Sequence, residues 1–175
     1  KTTASKIISK KCGPLFIADK AVKDLYFKKD FKKLISKKFK IEQGKNFKVE
    51  MKKIIFKNKK NLKILEKIIH PLVRMEMFNF QKKNRKKKLL FFEIPLLVEN
   101  KLYNYFNTII YVKCKKAIRL KRYLKQGGSK ELFNFLNNNQ LKDNKKSKYC
   151  DHIVVNNSSL TVLKRKLLNI IVNYE

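Results

Sequence analysis

Four short runs rich in Leu, Phe, Ile and Val, at 15–18, 89–94, 108–112 and 151–155, constrain this chain more than any other feature. Each is too short for a helix and too apolar for a loop, which suits a strand buried on both faces. Helix-patterned stretches lie between them. Strands alternating with helices predict an α/β fold, a doubly wound parallel sheet with helices on both faces. Its 175 residues suffice for one domain with a sizeable core, and no internal repeat or second domain is apparent.

The helical stretches have distinct characters. Ala4, Ile7 and Ile8 set a helix over 2–11, which Gly13-Pro14 ends. A second is expected over 21–27. Residues 28–58 are helical in pattern and strongly basic, with one break near Gly44. Over 61–79, Leu62, Ile64, Leu65, Ile68, Ile69, Leu72, Val73 and Met77 fall mostly on one face. Pro71 is expected to interrupt that helix directly after His70, because proline removes a backbone hydrogen bond. Gln126-Gly127-Gly128-Ser129 reads as a flexible break, with Ser129 capping a helix that reaches about Lys146. The last helix spans 160–172.

Open α/β sheets collect ligands at the carboxyl ends of their strands. Asp19 follows the first run and fits two roles, a helix N-cap or an acid placed for chemistry. Pro95-Leu96-Leu97-Val98-Glu99-Asn100 follows the second run, and the turn 156–159 follows the fourth. His70 fits a structural side chain or a functional one. Lys1-Thr2-Thr3 fits an ordinary terminus, or the tail of a phosphate-binding loop, G-x-x-x-x-G-K-[ST]. There backbone N–H groups cradle phosphates, Lys reaches the β/γ-phosphates and the hydroxyl residue ligates Mg²⁺.

The net charge of +32, from 45 Lys and Arg against 13 Asp and Glu, raises a nucleic-acid or anionic membrane surface as a possibility. The lysines are spread along the whole chain, as a compositional drift of exposed positions would spread them. Either origin draws polyanions such as nucleotides toward the protein. The densest positive stretch, 81–88, reads as a solvated connection into the next strand, with nucleic-acid contact the alternative. Cys12, Cys114 and Cys150 are far apart and odd in number, so neither a zinc site nor a disulfide framework is implied and a reducing cytoplasm is expected. No apolar run reaches membrane-spanning length and no signal peptide is visible.

Taken in order, K-T-T at 1–3, Ile17-Ala18-Asp19, Ile69-His70-Pro71-Leu72-Val73, the 95–100 loop, Arg119-Leu120-Lys121-Arg122, Gln140 and 150–156 resemble the dephospho-CoA kinase family. These P-loop kinases complete coenzyme A biosynthesis. The His-Pro and P-L-L-V-E-N pieces are the specific ones. The resemblance covers nearly the whole chain.

It implies a three-layer α/β/α P-loop kinase fold over 1–175, with a parallel sheet, a helical acceptor-binding region at about 27–85 and a lid at about 122–147. The glycine loop and first strand are expected before Lys1, so the sequence reads as a fragment lacking them, and activity is expected of the parent chain. The implied reaction is ATP-dependent phosphorylation of the ribose 3′-hydroxyl of dephospho-CoA. Lys1, Thr2, Thr3, Arg122 and Asn156 match the ATP-binding positions, and Thr2 the Mg²⁺ ligand. Asp19 matches the acid near the acceptor hydroxyl, so Asp19, Lys1 and Arg122 form the expected catalytic set. His70, Leu97 and Glu99 match the region shaping the acceptor pocket.

Two positions depart from the family pattern. Ile17 stands where a first acid of D-A-D is usual, and Gln126 where a second lid arginine is usual. The partners implied are dephospho-CoA and ATP, without obligate nucleic acid or membrane. The alternatives are another small-metabolite or nucleoside monophosphate kinase and, from a different class, a basic nucleic-acid-binding protein.

Overall fold

The computed structural model describes residues 1–42, 44, 46–138 and 140–174. In chain order its elements are α1 (Thr2–Cys12), β1 (Leu15–Ile17), α2 (Ala18–Leu25), α3 (Lys29–Phe39), α4 (Phe47–Lys57), α5 (Lys59–Lys83) and β2 (Phe91–Glu93). They continue with β3 (Ile110–Lys113), α6 (Lys116–Lys125), α7 (Lys130–Asn138), α8 (Asp143–Ser147), β4 (His152–Val155) and α9 (Leu160–Ile171). The mixed α/β class and the four strand positions agree with the sequence reading. The chain divides into two compact units, 1–15 with 87–175, and 16–86.

In the first unit β3 and β4 pair in parallel, Ile110 opposite His152 and Lys113 opposite Val155. Their β-branched residues suit a pleated surface. Asp151 extends the ladder by one step, its carboxylate accepting the Ile109 N–H at 2.7 Å. Leu163, Leu167 and Ile171, one helical turn apart on α9, pack with Ala4 and Ile8 of α1 and Val154 of β4. This apolar seam fixes α1, and with it the N-terminal turn that carries Thr2.

Gly13 ends α1 at a point of close approach. A Cβ there would sit 2.3 Å from the Leu89 carbonyl oxygen, so only glycine fits. The next carbonyl, of Pro14, then accepts the Phe91 N–H at 2.9 Å. The Gly-Pro pair thus stops the helix and brings the returning chain alongside β2.

The second unit is helical apart from its share of β1. Leu25, Phe31, Ile35, Ile41, Phe47, Met51, Leu65 and Ile69 form its core. Ile35 and Met51 are completely enclosed. Its helix α5 differs from expectation, running unbroken from Lys59 to Lys83 through Pro71. Proline costs the helix one hydrogen bond. Leu65 and Ile69 before it and Met77 after it are all buried, and this burial holds both halves in one helix. His70 is therefore an ordinary exposed helical position.

The helix expected over 21–27 starts earlier, at Ala18, with Ile17 as its extended N-cap residue. The helix expected from Ser129 to about Lys146 is instead two, α7 and α8. Residue 139 between them lies outside the described residues. No helix among the described residues is long and apolar enough to cross a membrane.

Candidate active site

The N-terminus of α1 is the electropositive end of an eleven-residue helix whose first turn contains no acid of its own. An acid comes from elsewhere. Glu93, the last residue of β2, accepts the Thr2 hydroxyl at 2.7 Å on Oε1 and the Ser5 hydroxyl at 2.8 Å on Oε2. Only 6% of Glu93 is exposed, so this is a buried carboxylate with both oxygens engaged by one helical turn.

The sequence reading missed Glu93. Its signal was a lone acid inside the apolar run 89–94, a position where a charge survives only with partners. The Thr2 hydroxyl and the Glu93 carboxylate are hard oxygen donors side by side, which suits Mg²⁺. Among the described residues no group of three or more His, Cys, Asp or Glu side chains could hold a metal unaided. A cation held by this pair would need water and phosphate oxygens for its remaining ligands, as Mg²⁺ commonly does. Lys1 and Thr3 are exposed at the same helix end.

Arg122 and Asn156 meet in the structure. On α6, Arg122 donates through Nη1 to the Asn156 carbonyl at 3.1 Å and through Nη2 to the Ser158 carbonyl at 3.4 Å. The same turn is tied to the end of β3, where Asn157 Oδ1 accepts the Lys115 N–H at 2.9 Å. Asn156 also donates its N–H to the Lys113 carbonyl at 2.8 Å. The guanidinium, exposed on its outer side, therefore anchors the 156–158 turn.

Beyond this turn, at the carboxyl ends of β3 and β4, lies a cavity of about 780 Å³. Lys115, Arg119, Asn137, Gln140, Asp143 and Asn157 are among the residues that line it. Arg119 donates to Asn137 Oδ1 at 3.0 Å and lies 6.0 Å from the centre of the Phe133 ring. Its buried Nε has no hydrogen-bond partner among the described residues.

The glycine pair between α6 and α7 is more constrained than a flexible break. Gly127 has φ +82°, and a Cβ on Gly128 would fall 2.0 Å from the Tyr123 ring. Ser129 caps α7 as expected, accepting the Leu132 N–H at 3.2 Å. Gln126 is exposed at the end of α6.

Leu97 is half-buried in the 95–100 loop. Glu99 beside it carries a salt bridge: Lys146 Nζ lies 2.8 Å from Oε1, and the Leu141 N–H donates to the same oxygen at 3.1 Å. Burial pushes the Glu99 carboxyl up, but the Lys146 and backbone hydrogen bonds outweigh it and hold the group below its ordinary range. Tyr111 is pushed the other way, first by burial and then by its 2.7 Å bond to the Asp143 carboxylate.

Asp19 and His70 belong to the second unit. Asp19 is the second residue of α2 and makes no cap bond, so of its two expected roles the cap is not taken. Both side chains are exposed.

A family model described as dephospho-CoA kinase matches residues 1–161. A dephospho-CoA kinase of Bartonella quintana is 32% identical over 178 residues, covering 99% of this chain and 91% of the relative. Another, from Fusobacterium nucleatum, is 31% identical and covers 95% and 89%. Among solved structures, a dephospho-CoA kinase from Campylobacter jejuni matches with a TM-score of 0.66 at 22% identity, over 99% of this chain and 91% of that one, a likeness of fold.

Proposed function

The chain belongs to the dephospho-CoA kinase family, and from that premise we propose that it moves the γ-phosphoryl group of ATP to the ribose 3′-hydroxyl of dephospho-CoA. The products are coenzyme A and ADP. The observation that carries this reading is the Thr2–Glu93 hydrogen bond at the N-terminus of α1. It sets a hydroxyl and a buried carboxylate where a helix end attracts phosphate.

Phosphoryl transfer requires positioning and charge neutralisation more than covalent help from the protein. The α1 N-terminus and Lys1 face the β- and γ-phosphates, and Thr2 and Glu93 are the residues that would hold Mg²⁺. Bound there, the ion would supply neutralisation of charge on the phosphoryl oxygens. Arg122 clamps the ATP phosphates and anchors the turn in which Asn156 receives the adenine, and the neighbouring basic cavity draws in the polyanion. His70, within the helical acceptor-binding region, and Leu97, in the 95–100 loop, are the positions assigned to recognition of dephospho-CoA.

Asp19 accepts the proton of the 3′-hydroxyl as that oxygen bonds to the γ-phosphorus. The bond from the γ-phosphorus to its bridging oxygen breaks and leaves ADP. An exposed carboxylate in a helix's first turn is free of the capping role and open to an acceptor. The lid at about 122–147 closes over the donor and excludes water, the competing acceptor.

Acceptor competition tests this reading. The full-length protein with ATP and Mg²⁺ is expected to turn over dephospho-CoA in preference to AMP, CMP and UMP. Preferred phosphorylation of a nucleoside monophosphate would overturn it.

A further inference from the structure

Pro95-Leu96-Leu97-Val98-Glu99-Asn100 is a braced turn. Its backbone closes on itself through Asn100 N–H to Leu96 O at 2.9 Å, Lys101 N–H to Val98 O at 3.0 Å and Leu102 N–H to Leu97 O at 3.0 Å. Leu96 accepts a left-handed φ of 53° to make this closure, an unusual conformation for a branched side chain. Val98 anchors the turn from inside, 9% exposed. What the brace presents is Glu99.

One oxygen of Glu99 gathers the segment at 140–146. It takes Lys146 Nζ and the Leu141 N–H, and Lys146 Nζ also donates to Gln140 Oε1 at 3.2 Å. Both partners are enclosed, with side-chain exposures of 15% for Glu99 and 11% for Lys146. From the β3 side, Asp143 is held by the Tyr111 hydroxyl at 2.7 Å and faces Lys113 Nζ at 3.8 Å. Gln140, Leu141, Lys142 and Asp143 form one wall of the 780 Å³ cavity.

A buried ion pair is a poor device for stability alone, since an apolar pair of similar volume commonly serves as well or better. It adds direction. The carboxylate fixes the Leu141 N–H, and the shared ammonium fixes the Gln140 amide, in a way that methyl groups do not.

We propose that Glu99 is a positioning residue for the nucleotide cavity, acting through Lys146 and Leu141 on the wall at 140–143. The inference rests on the reading of that cavity as part of the ATP site. It moves Glu99 from the acceptor pocket, where the family resemblance puts it, to the donor side of the reaction.

The test compares Glu99→Ala with Glu99→Ala/Lys146→Met in the full-length protein. The single variant leaves a buried ammonium unpaired and lowers Tm; the double variant removes that charge and is expected to restore Tm. In both, KM for ATP is expected to rise about tenfold, the scale of one lost hydrogen bond to a charged group, with KM for dephospho-CoA unchanged. Recovery of both Tm and ATP KM in the double variant would make the pair merely structural and overturn the proposal. A rise in dephospho-CoA KM instead of ATP KM would return Glu99 to the acceptor side.

Hydrogen exchange at the Leu141 amide needs no turnover and separates this proposal from the kinase reading. Faster exchange in the double variant supports the pin even if the acceptor is another molecule. Unchanged exchange defeats the pin even if the enzyme makes coenzyme A.

Discussion

The two units hold their candidate site residues by different means. In the unit formed by 1–15 and 87–175, Thr2, Glu93, Arg122 and Glu99 are all tied by polar bonds over long sequence distances. In the unit formed by 16–86, apolar packing around Ile35 and Met51 sets the helices, and Asp19 and His70 stand exposed on them. The first arrangement couples function to stability, so a single substitution disturbs both. The second lets a side chain be changed with little effect on the fold. Substitutions therefore carry different signatures in the two regions, which can be broken or sharpened by experiment.

Asp19→Ala is the sharpest case. Loss of a general base costs about 10²–10⁴-fold in kcat. Its exposed position predicts a Tm within about 1 °C of wild type, since surface changes generally stay within about 0.5 kcal/mol. Steady-state rates beside thermal melts read both. Near-normal turnover removes the role given to Asp19, and a large Tm loss removes the contrast between the units.

Glu93→Ala is expected to lose both together. Two hydroxyls lose their acceptor, at a cost of about 1–3 kcal/mol, and Tm falls by several degrees. Activity falls with it, and excess Mg²⁺ restores part of the rate because Thr2 and phosphate oxygens remain as ligands. A stable variant with unaltered Mg²⁺ dependence would break the account of this carboxylate.

Arg122→Lys keeps the charge but loses the two-pronged grip on the Asn156 and Ser158 carbonyls. ATP KM is expected to rise about tenfold, the value of one to two such bonds, with dephospho-CoA KM unchanged.

The smallest effect is in pH. The folded Glu99 carboxyl lies below its ordinary value of 4.5. Its contribution is therefore complete above that value and is lost as pH falls through the folded one. The Tm difference between wild type and Glu99→Gln should shrink below about pH 4.5 and stay constant from 6 to 8. A difference that does not shrink on acidification would contradict the ion pair.

The strands and helices were legible because they rest on local pattern. Each of the four apolar runs became a strand within a few residues, and Ser129 and Gly13 punctuate helices as their chemistry suggests. Pro71 misled, because the burial of Leu65, Ile69 and Met77 on either side outweighs one missing hydrogen bond. The polar ties were hidden for another reason. Glu93 meets Thr2 across 91 positions and Ser5 across 88, and no local spacing records such a pair. Lys146 was concealed by composition: in a chain with 45 basic residues, a buried lysine looks like its solvated neighbours.

Product identity tests the central claim most directly. Full-length protein incubated with ATP, Mg²⁺ and dephospho-CoA, followed by phosphorus NMR of the purified product, is expected to show a new monoester on the ribose 3′-oxygen and an equal amount of ADP. Phosphate at any other position, or ADP formed without a phosphorylated dephospho-CoA, would contradict it.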